Sequence, residues 1–153
     1  MKKVAWKEVS QFESPEKSPG FLLWQVSTEW RRLIETTLWK IGITHQQFVL
    51  LAGLSWLERN HSEASQVELS RHCRTDINMT SQILRALEKK GYITRKLRAG
   101  NAKSKFPKVT TKGAEIVEKA IPIVEEIDRD FFAKLGSDTK TCVKILEKLS
   151  SQV

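Results

Sequence analysis

The 153-residue sequence predicts a mainly α-helical domain that carries one small β-hairpin. Three observations predict it. Apolar residues recur at spacings of three and four through most of the chain, the period of amphipathic helices. The tetrapeptides Thr44-His45-Gln46-Gln47 and Ser65-Gln66-Val67-Glu68 have the pattern of capping boxes and mark helix starts. Between Tyr92 and Thr110, alternation of β-favouring residues replaces that spacing, around a polar Ala99-Gly100-Asn101 stretch. The length has room for one domain, two at most, and 40% apolar residues suffice for a packed core.

Residues 1–19 read as irregular, closed by Pro15 and Pro19. From Phe21 to Ile41, the residues Leu23, Val26, Trp30, Leu33, Ile34, Leu38 and Ile41 define a helix with one wide buried face, ended by Gly42. In the next helix Thr44 is placed to accept from the third amide and Gln47 to reach back, with Ile43 and Phe48 as a hydrophobic staple. It runs to about Arg59, with Phe48, Leu51, Leu54 and Leu57 or neighbours inward, and a polar loop follows from Asn60 to Ala64. The second capping box opens a short helix to about Cys73. A turn at Arg74-Thr75 leads to Asp76, the expected cap of a helix from Ile77 to Lys90 that Gly91 stops. Two helices joined by so short a turn are a helix-turn-helix candidate.

Tyr92 to Arg98 reads as a strand, Ala99 to Ser104 as a loop and Phe106 to Thr110 as a return strand that Pro107 confines to an edge. Thr111 is expected to cap a long helix carrying Ile116, Val117, Ala120, Ile123, Val124, Ile127, Phe131 and Leu135. Pro122 inside it removes one backbone hydrogen bond and should bend it. Gly136 breaks this helix, and Ser137 or Asp138 caps a last one with Val143, Leu146 and Leu149 inward.

The net charge of +8 is segregated. Residues 71–112 hold 12 basic side chains against Asp76 and Glu88 alone, while the remainder holds 14 basic and 16 acidic groups. A solubilising charge has no reason to concentrate in this way, whereas a surface that meets a polyphosphate does. An anionic membrane surface would call for a basic amphipathic helix, and turns and a hairpin interrupt this segment. No run of 18 apolar residues is present, and Met-Lys-Lys-Val-Ala-Trp-Lys-Glu has no apolar segment behind its lysines, so neither a membrane span nor an export signal is expected. Cys73 and Cys142 make neither a disulfide framework nor a zinc quartet. A soluble cytoplasmic protein without a cofactor is expected.

In the helix from 77 to 90, Thr80, Ile83, Leu84 and Leu87 form the inward stripe. The opposite stripe, Asn78, Ser81, Gln82, Arg85 and Lys89, contains no acid. Asn and Gln pair bidentately with adenine, Arg pairs with guanine, and Ser serves several acceptors, so this face suits the major groove of duplex DNA.

Leu69 to Arg95, reading L-S-R-H-C-R-T-D-I-N-M-T-S-Q-I-L-R-A-L-E-K-K-G-Y-I-T-R, resembles the core of the multiple-antibiotic-resistance regulator (MarR) family. The likeness continues to V-T-T-K-G at Val109–Gly113, where the family has L-T-x-x-G, and covers about residues 20–150. The resemblance implies a single winged helix-turn-helix domain over 20–150, acting as a two-fold homodimer. Residues 20–43 and 111–150 would be the dimerisation helices and 44–110 the DNA-binding lobe. It also places Asn78, Ser81, Gln82 and Arg85 at recognition-helix contact positions, with Arg74 in the turn ahead of them. Where the family commonly has Asp-x-Arg at the wing tip, this chain has Asn101-Ala102-Lys103. Asparagine cannot form the aspartate's charge pair, and lysine lacks the planar guanidinium suited to a narrow minor groove. The wing is therefore expected to bind as phosphate-directed charge, through Arg98, Lys103 and Lys105, with little sequence reading.

Other signals are weaker. Cys73 lies between His72 and Arg74, which favours a lowered thiol pKa, yet it stands where the resembled family places a buried leucine and reads as a small core residue. His45, His61 and His72 have no partner at metal-ligand spacing. Trp24, Trp30, Trp39 and Trp56 read as core and dimer contacts. A sharper reading has them line a cavity for a small aromatic effector, which the resemblance implies for many relatives. No nucleophile elbow, phosphate loop or partnered carboxylate pair is present, so an enzyme is not expected. The expected function is a sequence-specific DNA-binding regulator, a repressor, acting on a pseudo-palindromic operator. The alternative is a winged-helix protein-interaction or anti-regulator module with no operator of its own.

Overall fold

The computed structural model describes residues 3–60, 63–98 and 101–151, without the side chains of residues 96–98 and 101–105. The chain divides into two compact units, Met1–Leu33 and Ile34–Val153.

In the first unit the segment expected to be irregular holds a one-turn helix, α1 (Trp6–Val9), and a 3-10 turn at Pro15–Lys17. Each is too short to show a 3.6-residue period in sequence. Helix α2 (Pro19–Trp39) starts two residues earlier than expected, with proline at its first position, where a missing N–H leaves no bond unmade. The wide buried face expected for it is not realised: Leu23, Trp24 and Val26 are exposed, and burial is confined to Ile34 and Leu38.

The second unit holds the core. Helices α3 (His45–Asn60), α4 (Gln66–Cys73) and α5 (Ile77–Lys89) enclose Leu50, Leu51, Leu54, Leu69, Leu84 and Leu87, all fully buried, together with Ile43 and Ile93. Each such side chain contributes about 1.5–3 kcal/mol of transfer free energy. Both expected capping boxes are present. Gln47 N–H donates to Thr44 Oγ1 at 3.1 Å and Thr44 N–H to Gln47 Oε1 at 3.3 Å. Glu68 N–H donates to Ser65 Oγ at 3.2 Å and Ser65 N–H to Glu68 Oε2 at 2.7 Å.

Strands β1 (Ile93–Arg98) and β2 (Asn101–Val109) pair antiparallel, Ile93 opposite Val109 and Arg95 opposite Pro107, with an irregularity between Leu97 and Arg98. The loop expected over Ala99 to Ser104 is thus strand from Asn101 onward. In a two-stranded ribbon, pairing with the partner decides the backbone, and polar residues without alternation can pair as well as alternating ones.

Helix α6 (Thr111–Phe132) is capped by Thr110, not Thr111: the Thr110 hydroxyl accepts from Gly113 N–H at 3.0 Å. α6 continues helically through Pro122 and ends three residues before Leu135, giving way to a 3-10 stretch, Ala133–Asp138, in which Gly136 takes a φ of 52°. Asp138 precedes α7 (Thr139–Ser150) without capping it through its side chain. Val143, Leu146 and Leu149 of α7, expected inward, are 50, 43 and 56% exposed. The four tryptophans read as core or dimer contacts likewise stay out of the core, with Trp24, Trp39 and Trp56 exposed and Trp30 half-buried.

Gly113 is where α6 meets the start of the hairpin. A Cβ there would collide with the Tyr92 carbonyl oxygen and press on Val109. Because the obstacle is backbone, it cannot swing aside. Gly113→Ala should therefore lower the unfolding free energy by about 1–3 kcal/mol, measured by urea denaturation with unchanged m-value; a loss below about 0.5 kcal/mol would contradict the packing described.

Candidate nucleic-acid interface

The interface is built on the turn between α4 and α5. Arg74 takes the left-handed conformation, φ 49° and ψ 46°, at the end of α4. Ser70 Oγ donates to Thr75 O at 2.7 Å, and the hydroxyls of Thr75 and Thr80 hydrogen-bond at 2.7 Å. Asp76 then caps α5, its Oδ1 accepting from Asn78 N–H at 2.8 Å and Met79 N–H at 3.0 Å. These short-range bonds fix how α5 leaves the turn. Thr80, Leu84 and Leu87 anchor its inner side, as expected, with Ile83 half-buried beside them.

The outer side presents Asn78, Gln82, Arg85 and Lys89 exposed and Ser81 half-buried, so the structure brings these five onto one face. The first turn of α5 carries no acid within it. Amides, a hydroxyl and a guanidinium on one helix match the donors and acceptors of base-pair edges. Arg74 is also exposed, and its Nη2 donates to Ser150 O at the end of α7, 2.6 Å away. The backbone of Arg98, Asn101, Lys103 and Lys105 belongs to the hairpin, with Arg98 opposite Asn101; their side chains lie outside the described residues.

The hairpin is tied to the helices at its base. Val109 N–H donates to Glu58 Oε1 of α3 at 2.9 Å, and the Arg95 guanidinium pairs with the Glu88 carboxylate of α5. Lys90, at the end of α5, donates through Nζ to Gly42 O at 2.7 Å and Gln47 Oε1 at 2.8 Å. Sequence reasoning missed Glu58, whose partner is 51 residues away, and it missed the exposed apolar pair Ile77 and Met79 at the start of α5. Their signal was present, as two bulky apolar residues on either side of Asn78, outside the inward stripe.

His45 begins α3, its N–H donating to Glu35 Oε2 at 2.7 Å, and His72 is exposed; His61 lies outside the described residues. Among the described residues, no group of three or more His, Cys, Asp or Glu side chains is placed to hold a metal ion. Nor, among them, is any helix long and apolar enough to cross a membrane. The Cys73 thiol sits against Gly53 of α3 and donates to Val49 O at 3.6 Å. Burial pushes its pKa up to about 11 from an ordinary 9.0.

Three helices, a short left-handed turn and a basic antiparallel hairpin are the parts of a winged helix-turn-helix regulator. Residues 43–105 match the model of the MarR family. The chain is 40% identical over 124 residues to the uncharacterized HTH-type transcriptional regulator YdcH of Bacillus subtilis (strain 168), covering 81% of this chain and 84% of that one. It is 29% identical over 133 residues to the HTH-type transcriptional repressor Rv2887 of Mycobacterium tuberculosis, covering 86 and 93%. Its fold is similar to that of a mutant MarR from E. coli complexed with operator DNA, with a TM-score of 0.76 at 23% identity over 97 and 99% of the two chains. The chain belongs to the MarR family of transcriptional regulators.

The thiol environment makes a direct prediction. At pH 8 Cys73 should react with a disulfide reagent far more slowly in the folded protein than in urea, because only a minute fraction is thiolate. Between about pH 9 and 11 the unfolded chain loses this proton first, so Cys73 makes the fold less stable as pH rises. Equal labelling rates in the two states would contradict the burial described.

Proposed function

We propose that the protein is a homodimeric, sequence-specific binder of double-stranded DNA that represses transcription. The observation that carries this reading is the acid-free outer face of α5, with Asn78, Gln82 and Arg85 exposed in a segment of strongly positive charge. Ser81 and the amides of Asn78 and Gln82 read base edges, Arg85 takes a guanine edge, and Arg74 takes a phosphate beside the turn. Arg98, Asn101, Lys103 and Lys105 of the wing add mainly phosphate-directed charge. Membership of a family of transcriptional regulators supports the reading, and the name of the Mycobacterium tuberculosis relative supports repression. Acting on DNA places the protein in the cytoplasm.

The dimer rests on a separate observation. Among the described residues, Val143, Ile145, Leu146 and Leu149 give α7 an apolar surface that is 43–56% exposed, and Leu23, Trp24 and Val26 give α2 one that is 48–63% exposed. A two-fold pair of chains sets two α5 helices about 10 base pairs apart on a pseudo-palindromic site. A small aromatic effector fits this scheme: it releases DNA only by binding the DNA-incompetent arrangement more tightly. Pro122 of α6 is where such a rearrangement flexes.

Binding is tested on duplexes selected by the full chain. Affinity should fall roughly a thousandfold between about 50 and 200 mM salt, as expected when six or more phosphates are met. Arg85→Ala should lose about 1–3 kcal/mol on the selected duplex and much less on random DNA, whereas Lys103→Ala should weaken both alike. Absence of binding at low salt would refute the reading and favour a protein-interaction module.

The oligomer is tested by sedimentation. Wild type should run at twice the 17.6 kDa of the chain, and Leu146→Glu with Leu149→Glu at 17.6 kDa with its helical signal intact. A doubly substituted chain that remains dimeric would move the interface elsewhere.

A further inference from the structure

We propose that Met79 reads the 5-methyl group of thymine, so that the preferred duplex carries a thymine beside the base pair met by Asn78. The proposal rests on the DNA reading above and adds a base preference to it.

Ile77 and Met79 are the first and third residues of α5, on either side of Asn78. They expose 39 and 42% of their surface, whereas Thr80, Leu84 and Leu87 of the same helix are fully buried. Met79 is held at the surface: Gln46, in the first turn of α3, donates a weak hydrogen bond from Nε2 to its Sδ at 3.7 Å. Asn78 precedes it and Gln82 follows one turn on, both exposed. Two bulky apolar side chains at the tip of a helix within the strongly basic 71–112 segment gain nothing from water and nothing from phosphate oxygens.

The major groove contains one apolar feature, the thymine 5-methyl group, and it lies on the same base pair whose adenine edge suits an asparagine amide. A residue pair that offers an amide next to a thioether therefore matches an A·T-containing step on both counts. Methionine suits the task because its three torsions and polarizable sulfur let it follow a methyl group whose position varies with local DNA shape. Removing one methyl from water against an apolar side chain is worth about fourfold in affinity.

The test isolates the methyl group. Duplexes are selected by the full chain from a random-sequence double-stranded library, and the selected duplex is resynthesised with deoxyuridine in place of thymidine at one position at a time. At one or more positions, loss of the methyl should weaken wild-type binding about fourfold. Met79→Ala should reduce that penalty to less than about twofold, while Arg85→Ala leaves it in place. If every deoxyuridine duplex binds as tightly as its parent, or if Met79→Ala keeps the full penalty, the assignment is overturned and the DNA reading stands. A chain that selects no duplex overturns both.

Discussion

Thr110 sits where the hairpin becomes a helix, and four elements are tied through it. Its hydroxyl donates to Gly91 O at 2.7 Å while accepting from Gly113 N–H at 3.0 Å, and its own N–H donates to Tyr92 O at 3.0 Å. Lys112 adds a bond from Nζ to Lys90 O at 3.0 Å. The end of α5, the start of β1, the end of β2 and the first turn of α6 thus share one small set of bonds. Gly91 serves this junction by taking a φ of 75°, which a side chain resists, and Gly113 serves it by having no Cβ. A reorientation of α6 must either break these bonds or carry α5 and the hairpin with it. The V-T-T-K-G signature therefore has a mechanical meaning in this chain: the threonine ties and the glycine makes room.

Much of this was legible in the sequence, because cap chemistry is local. Thr44, Ser65 and Asp76 each satisfy amides two or three residues on, so the residue type and the spacing determine the outcome. Where two neighbours offer the same chemistry the sequence is ambiguous, as with Thr110 and Thr111. The burial of Val143, Leu146 and Leu149 failed for a different reason. A helical period tells which face is apolar, but not what covers it, and among the described residues this one is left about half exposed. The core part of the expectation for Trp24, Trp30, Trp39 and Trp56 fails likewise: their size suggests an interior place, yet Leu side chains from α3, α4 and α5 fill it without them.

The site was legible along its polar stripe and opaque at its margins. Sorting α5 into inward and outward stripes assigns Thr80 and Gln82 correctly, since each lies well inside its sector. Ile77 and Met79 fall between the sectors, where polarity alone misleads. Contacts between distant residues were out of reach altogether. Glu58 holding the hairpin base and Ser150 O accepting from Arg74 are separated from their partners by 51 and 76 residues, and no local pattern encodes either.

The charge distribution has an energetic consequence for the free protein. A surface with this excess of positive charge repels itself, and within about 8 Å at physiological salt the repulsion is only partly screened. The fold relieves some of it: Glu88 takes Arg95, and Lys90 and Lys112 turn their ammonium groups toward backbone carbonyls. Arg71, Arg85 and Lys89 stay exposed on α4 and α5. Repulsion left among such groups raises the free energy of the unliganded state and disappears when a polyanion neutralises them. It therefore strengthens association with any duplex without distinguishing one sequence from another. Discrimination has to come from groups that can meet base edges, and those on the outer face and tip of α5 are Ile77, Asn78, Met79, Ser81, Gln82 and Arg85. On the DNA reading proposed above, the basic surface sets how tightly a duplex is held, and the outer face and tip of α5 set which duplex.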